Sequence, residues 1–124
     1  MMKSKGQIEA EISKAITKFE KEHLGRGPLK ANTYILDDMI LIRLKGILTP
    51  AEERLAKDGD GAQIIKQVRR RLIESSRPLL EEIISNITGE NIKSLHTDIS
   101  SRTGERIFVL CLSENLQKKI DFSK

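Results

Sequence analysis

Apolar residues recur every three or four positions at Ile8, Ile12, Ala15, Ile16 and Phe19, with lysine and glutamate between them. That spacing predicts an amphipathic helix with one buried face. Gly25 stands where a left-handed residue ends such a helix, and Pro28 blocks its continuation. The first helix is therefore expected over about 4–24. The pattern then changes to alternation. Residues 31–36 and 39–45, the second with Ile40, Ile42 and Leu44 in step, flank Asp37-Asp38 and predict a hairpin. Asp-Asp is a weaker turn pair than Asn-Gly and leaves the turn type open.

Thr49-Pro50-Ala51-Glu52 is the clearest local signal. Thr49 can accept helix-start N–H groups, Pro50 suits the first helical position, and Glu52 can reach back to complete a capping box. A short helix to about Lys57 follows. Asp58-Gly59-Asp60-Gly61 interrupts it, and Asp60 with Gln63 forms a second capping box that opens a long helix. There Ile65, Val68, Leu72, Leu79, Ile83 and Ile87 form one apolar stripe, flanked by Ile64, Leu80 and Ile84. The stripe stays in phase past Pro78, which predicts one kinked helix and not two. Gly89 ends it. Residues 92–101 and 106–113 form a second hairpin. In its last strand Ile107, Val109 and Cys111 point one way and Phe108, Leu110 and Leu112 the other, so that strand is expected at the centre of a sheet. A helix ending at glycine and followed by a hairpin thus occurs twice, as an αββ pseudo-repeat would produce.

The expected fold is an α+β domain. It has a four-stranded, mainly antiparallel sheet of two hairpins, with the long helices packed on one face, in the order α-β-β-α-α-β-β. A chain of 124 residues, 38% hydrophobic, reads as one domain. It spans 1–124, with a core over about 5–113 and a tail, 114–124, that adds at most a turn of helix before fraying. The core is aliphatic, with 17 isoleucines and 14 leucines against four aromatics. Charged residues are 32% of the chain, but their signs alternate and apolar runs recur, which excludes disorder. No apolar run approaches the roughly 20 residues of a membrane span. The start, Met1-Met2-Lys3-Ser4-Lys5, lacks the apolar centre of a signal peptide. The single cysteine excludes an internal disulfide framework and fits a reducing cytoplasm. A cytoplasmic protein is expected.

The net charge of +4, from 22 basic and 18 acidic residues, leans only slightly toward acidic partners. In Gly25-Arg26-Gly27-Pro28 the glycines follow a helix, where the dipole disfavours an anion. A cap and stiff turn explain them, leaving Arg26 as the residue that can reach outward. Asp58-Gly59-Asp60-Gly61 resembles the start of a calcium loop, but the twelfth position is Arg69, a cation, and a helix cap explains the segment. The densest basic cluster is Arg69-Arg70-Arg71 with Lys66 and Arg77. Three successive residues fan over roughly 200° of a helix and cannot share one phosphate backbone. Arg70 with Glu74 and Arg77 with Glu81 stand at pairing distance. A solvated, paired face is the plain expectation, and a docking patch for an acidic partner or anionic lipid the functional one. Glu52, Glu53, Asp58 or Asp60 can offset basic charge that opposes the helix dipole.

His96 and Asp98 share a strand face with Ser94, an arrangement that does not converge as a hydrolase triad does. His23 suits a helix C-terminus, and Cys111 is expected to be a buried small hydrophobe. No cofactor or metal motif is present. Tyr34 and Phe108 are the only strand aromatics and no arginine-glycine-aromatic motif surrounds them, which argues against nucleic acid. The candidate partner- or anion-binding residues are Arg26, Lys66, Arg69, Arg70, Arg71, Arg77, His96 and Asp98.

Five segments, by their order and spacing, resemble the bacterial MpsC-like family from about Lys5 to Leu112. They are Gly25-Arg26-Gly27-Pro28; Asp37-Asp38 before an apolar strand; Leu44-Lys45-Gly46-Ile47-Leu48-Thr49-Pro50-Ala51-Glu52; Arg69 to Arg77 with Pro78; and Thr88-Gly89 followed by His96-Thr97-Asp98. The resemblance implies a small accessory subunit or regulator of a system proposed to translocate sodium ions and generate membrane potential. It supplies no catalytic residues. A chain without a membrane span must then dock on membrane-embedded subunits from the cytoplasm, at the inner face of the membrane. Unused apolar side chains at Leu41, Tyr34 and the last strand imply a second covered face, hence a homodimer through sheet or helix. A nucleic-acid-binding or regulatory module is the alternative, and an enzyme acting on an anionic small molecule the third reading. A polar pocket joining Arg26, His96 and Asp98 would favour that third reading.

Overall fold

The computed structural model describes residues 3–123. The Met1-Met2 start lies outside them. Helix α1 spans Lys5–His23, and Ser4 caps it: its hydroxyl accepts from the Gln7 N–H while the Gln7 side chain accepts from the Ser4 N–H. Ile8, Ile12, Ile16 and Phe19 form its buried face, as their spacing predicts, and Glu20 is buried with them. Strands β1 (Lys30–Leu36) and β2 (Met39–Lys45) make the first hairpin, with Asp37 at positive φ in the turn. Helix α2 (Pro50–Leu55) carries the expected box, Thr49 with Glu52. Helix α3 (Gly59–Thr88) runs as one helix through Pro78 and ends at Gly89, whose φ of 73° is the left-handed cap a glycine tolerates. Strands β3 (Ile92–Ser100) and β4 (Glu105–Leu112) follow.

The sheet is antiparallel throughout, in the order β1-β2-β4-β3. The two hairpins therefore meet through their second strands, the symmetric arrangement that a doubled αββ unit produces. Strand β4 is central, as its two apolar faces require. Ile35, Ile40, Ile42, Leu44, Leu95, Ile99, Phe108, Leu110 and Leu112 point to the helical side and join the buried residues of α1 and α3 in one core.

Three expectations change. The tail does not fray: Asn115 caps a further helix, α4 (Leu116–Phe122), by accepting from the Lys118 N–H, and Leu116 and Ile120 enter the core. The order is thus α-β-β-α-α-β-β-α. The cap of α3 is Asp58, not Asp60, because the Asp58 carboxylate accepts from the Asp60 N–H and its carbonyl from the Ala62 N–H. Gly61 then falls in the first helical turn, against Leu55 of α2; a β-carbon there would stand 2.1 Å from the Leu55 carbonyl oxygen. Finally, the buried row of α3 is Gly61, Ile65, Arg69, Ile73, Leu80, Ile84 and Thr88. Val68 and Leu79, expected inside, are exposed.

Candidate functional site

The basic run on α3 divides three ways, because consecutive helical residues turn by about 100° each. Arg69 points inward and is 3% exposed. Its Nε and Nη2 donate to the two oxygens of Glu52, at 3.1 and 2.8 Å. Nη2 also donates to the Ile47 carbonyl at 3.1 Å, and Nη1 to the Leu24 carbonyl at 3.4 Å. One guanidinium therefore ties the end of α1, the loop after β2 and the start of α2 to α3. Burial pushes the Glu52 carboxyl up, but its hydrogen bonds from Arg69 and Thr49 outweigh that and hold it below the usual carboxylate range. Arg69 is a structural strut, so the solvated-face expectation fails for it. Glu52 supplies the acidic partner.

Arg70 points toward β3, where a cleft of about 270 Å³ opens between α3 and that edge strand. Five candidate residues line it: Lys66, Arg70, Arg77, His96 and Asp98, with Thr97 and Arg106 between them. Arg77 Nη2 donates to the Leu95 carbonyl at 3.2 Å, and Lys66 Nζ lies 3.6 Å from Asp98, so side chains bridge the cleft at both ends. The Asp98 carboxylate accepts the Ile99 N–H at 2.8 Å, and these contacts protect the strand edge. Arg77 pairs with Glu81 as its spacing predicts and also approaches Glu74. The expected Arg70–Glu74 pair does not form; Arg70 is exposed and has no ion-pair partner among the described residues. His96 lies 3.2 Å from the Ser94 hydroxyl.

Arg71 points away from both, into solvent. Arg26, expected to reach outward, instead turns in and donates to the Gly46 carbonyl at 3.1 Å, bracing the loop after α1 against the end of β2. It does not line the cleft with His96 and Asp98, so the three-residue pocket that would favour an enzyme is not assembled.

Behind the cleft lies a pair that sequence reasoning missed. Glu20 and Arg106 are fully buried, with Arg106 Nε 3.7 Å from Glu20 Oε1. Arg106 Nη1 donates to the Thr97 hydroxyl at 2.9 Å, and its guanidinium lies 5.4 Å from the Phe108 ring centre. Neither Glu20 oxygen nor Arg106 Nε has a hydrogen-bond partner among the described residues. Burial dominates, and it raises the Glu20 carboxyl to about 7 despite the opposing charges of Arg106 and Arg69. The signal was present: Glu20 continues the Ile12-Ile16 row at four-residue spacing, and Arg106 shares alternation with Phe108.

Among the described residues no helix packs on the other face of the sheet. Across its strands run the rows Leu36-Met39-Cys111-Ser94 and Tyr34-Leu41-Val109-His96. Tyr34, Leu36 and Met39 are exposed, and Leu41, Val109 and Cys111 are half-buried. Cys111, expected in the core, lies on this face because its parity in β4 is opposite to that of Phe108 and Leu110. No group of three or more His, Cys, Asp or Glu residues among the described residues is placed to hold a metal.

The molecule is thus an α+β domain with one helical layer, an open apolar sheet face and a basic cleft. No helix among the described residues is long and apolar enough to cross a membrane. A family model described as "Na+-translocating membrane potential-generating system (MpsC)" matches residues 4–114, and the chain belongs to that family. It is 54% identical over 121 residues to the uncharacterized protein YbcI of Bacillus subtilis, covering 98% of each chain. It is 23% identical over 110 residues to YrhF of the same organism, covering 88% of this chain and 90% of that one. No solved structure matches it.

Proposed function

We propose that this chain is a non-enzymatic accessory or regulatory subunit of a sodium-translocating, membrane-potential-generating assembly, acting through protein contacts at the inner face of the membrane. The observation that carries the reading is the open sheet face. Tyr34, Leu36, Met39, Leu41, Val109 and Cys111 form a contiguous apolar surface on a sheet whose opposite face is fully packed. Contiguous exposed apolar patches of this kind mark interaction sites, and the family supplies the kind of assembly. Deleting the gene is expected to lower the sodium-dependent membrane potential of inverted vesicles. Complementation with wild-type chain restores it, and complementation with Leu41→Glu, a solvent-side change that spares the core, does not. An unchanged potential after deletion refutes the proposal.

A second reading, binding of a small carboxylate or phosphate, is favoured by the cleft, where Lys66, Arg70, Arg77 and Arg106 surround Thr97. Calorimetric titration with phosphate and citrate tests it. Binding that Arg70→Ala abolishes supports this reading, and no heat with either anion removes it.

A further inference from the structure

Helix α3 carries a second apolar row beside the one it buries. Ile64 and Val68 are 52% exposed and Leu79 39%, while Leu72, Ile83 and Ile87 are half-buried along the margin of the core. The row consists of two ridges at four-residue spacing, 64-68-72 and 79-83-87, separated by Ser75 and Ser76. It reads the same in both directions. Reversal about the midpoint between the two serines carries Ile64 onto Ile87, Val68 onto Ile83, and Leu72 onto Leu79. In an antiparallel two-fold pair this property sets apolar against apolar along the whole row, since each residue i that meets j finds j meeting i.

Charge and size point the same way. At about 100° per residue, Arg71 and Glu82 lie within roughly 20° of one another on the solvent edge of the row, on opposite sides of its midpoint. Both are exposed, and neither has an ion-pair partner among the described residues. In an antiparallel pair of α3 helices, Arg71 of each copy falls beside Glu82 of the other. A parallel pair would leave Arg71 and Glu82 of the two copies on opposite flanks of the seam and about 16 Å apart along it, with no pairing. The serines at the centre let the helices approach closely, and a shallow crossing of about 20°, as in helix bundles, keeps both ridges in contact along the pair. The row is about 35 Å long.

We propose that α3 is a homodimer interface, in which a second copy of this chain lays its own α3 antiparallel across the first, centred on Ser75 and Ser76. The proposal is independent of the sodium-translocation reading, because it concerns only the purified chain. It leaves the open sheet face for a different partner. An anionic membrane is the poorer occupant, since the C-terminal half of the row is edged by Glu82 and not by lysine or arginine.

Sedimentation velocity on the full-length chain is the test. The wild type is expected to sediment as a dimer, and Val68→Glu, which changes an exposed side chain, as a folded monomer with the wild type's far-UV circular dichroism and a cooperative thermal transition. Arg71→Glu weakens dimerisation by at least about tenfold, and adding Glu82→Arg restores it. In a Cys111→Ser background, Ser75→Cys is expected to cross-link to itself under mild oxidant. Leu72→Cys cross-links with Leu79→Cys but not with itself. A wild type that stays monomeric at about 100 μM overturns the proposal. So does a dimer indifferent to Val68→Glu but dissolved by Leu41→Glu, which places the contact on the sheet. Self-cross-linking of Leu72→Cys overturns the antiparallel arrangement, and binding of wild type to anionic vesicles without dimerisation assigns the row to a membrane.

Discussion

Replacing Arg69 by alanine separates it most sharply from its neighbours. The side chain is 3% exposed and donates to Glu52 and to the Leu24 and Ile47 carbonyls. Removing one partner of a buried ion pair costs about 3–5 kcal/mol. Each buried carbonyl left without a donor costs about 1–3 kcal/mol when its loss is complete. These contributions overlap, since they describe one side chain, and Glu52 is partly exposed and can turn to water. A net loss of about 4 kcal/mol is expected, a large part of the roughly 5–15 kcal/mol that holds a domain together. Arg69→Lys keeps the charge but not the fork that spans Glu52 and the carbonyls, so about half that loss is expected of it. Arg70→Ala should stay within about 0.5 kcal/mol, as exposed substitutions do, and Arg71→Ala, which removes the exposed pair with the other copy's Glu82, within about 1 kcal/mol. Urea unfolding followed by far-UV circular dichroism measures all four, at one protein concentration because a dimer's stability depends on it. An Arg69→Ala loss within about 1 kcal/mol of that for Arg71→Ala would refute the reasoning. The practical consequence is direct: an alanine triple at 69–71 used to probe docking reports unfolding, and the informative variant changes Arg70 and Arg71 alone.

The Glu20 carboxyl is raised from 4.5 to about 7 in the folded chain. The native state therefore holds a proton between those values that the unfolded chain has released. The stability is fully present below about pH 4.5 and is lost as pH rises through 7, by roughly 3 kcal/mol in all. Urea unfolding at pH 5 and pH 8 should show this loss in the wild type and its absence in Glu20→Gln; an equal loss in the variant would move the proton elsewhere. Gly61→Ala drives a β-carbon to 2.1 Å from the Leu55 carbonyl oxygen and should cost about 1–3 kcal/mol by displacing α2, which a lowered thermal midpoint would register. Truncation after Glu114 removes the buried Leu116 and Ile120, for a loss of about 3–6 kcal/mol; Asn115→Ala, which removes only the cap, should cost about 1 kcal/mol by the same urea measurement.

Much of the architecture was legible because its causes are local. Ile8 to Phe19 at helical spacing, the Thr49–Glu52 box, the alternation of β2 and β4, and the glycine at 89 each carry their own physical reason within a few residues. The cleft was half legible: Lys66, Arg70, Arg77, His96 and Asp98 were all singled out. Their convergence was not legible, since it depends on which strand lies at the sheet edge beside α3. The inward turn of Arg26 was not legible for a related reason. Its partner is a backbone carbonyl twenty residues on, and carbonyls carry no mark in the sequence.

Helix α3 shows where the boundary lies. Its sequence by itself determined the helix, its length, its passage through Pro78 and the existence of two rows at four-residue spacing. Hydropathy drew its stripe from both rows: Ile65 is buried, Leu72, Ile83 and Ile87 pack at the core margin, and Val68 and Leu79 are exposed, while Arg69 takes an inward place that hydropathy would not give it. Only the tertiary structure decided the matter. It brings Glu52 and the Leu24 and Ile47 carbonyls, 17, 45 and 22 residues away in sequence, to one guanidinium. A charged side chain enters a core when partners drawn from several segments satisfy it there together, and that condition exists only once those segments have met.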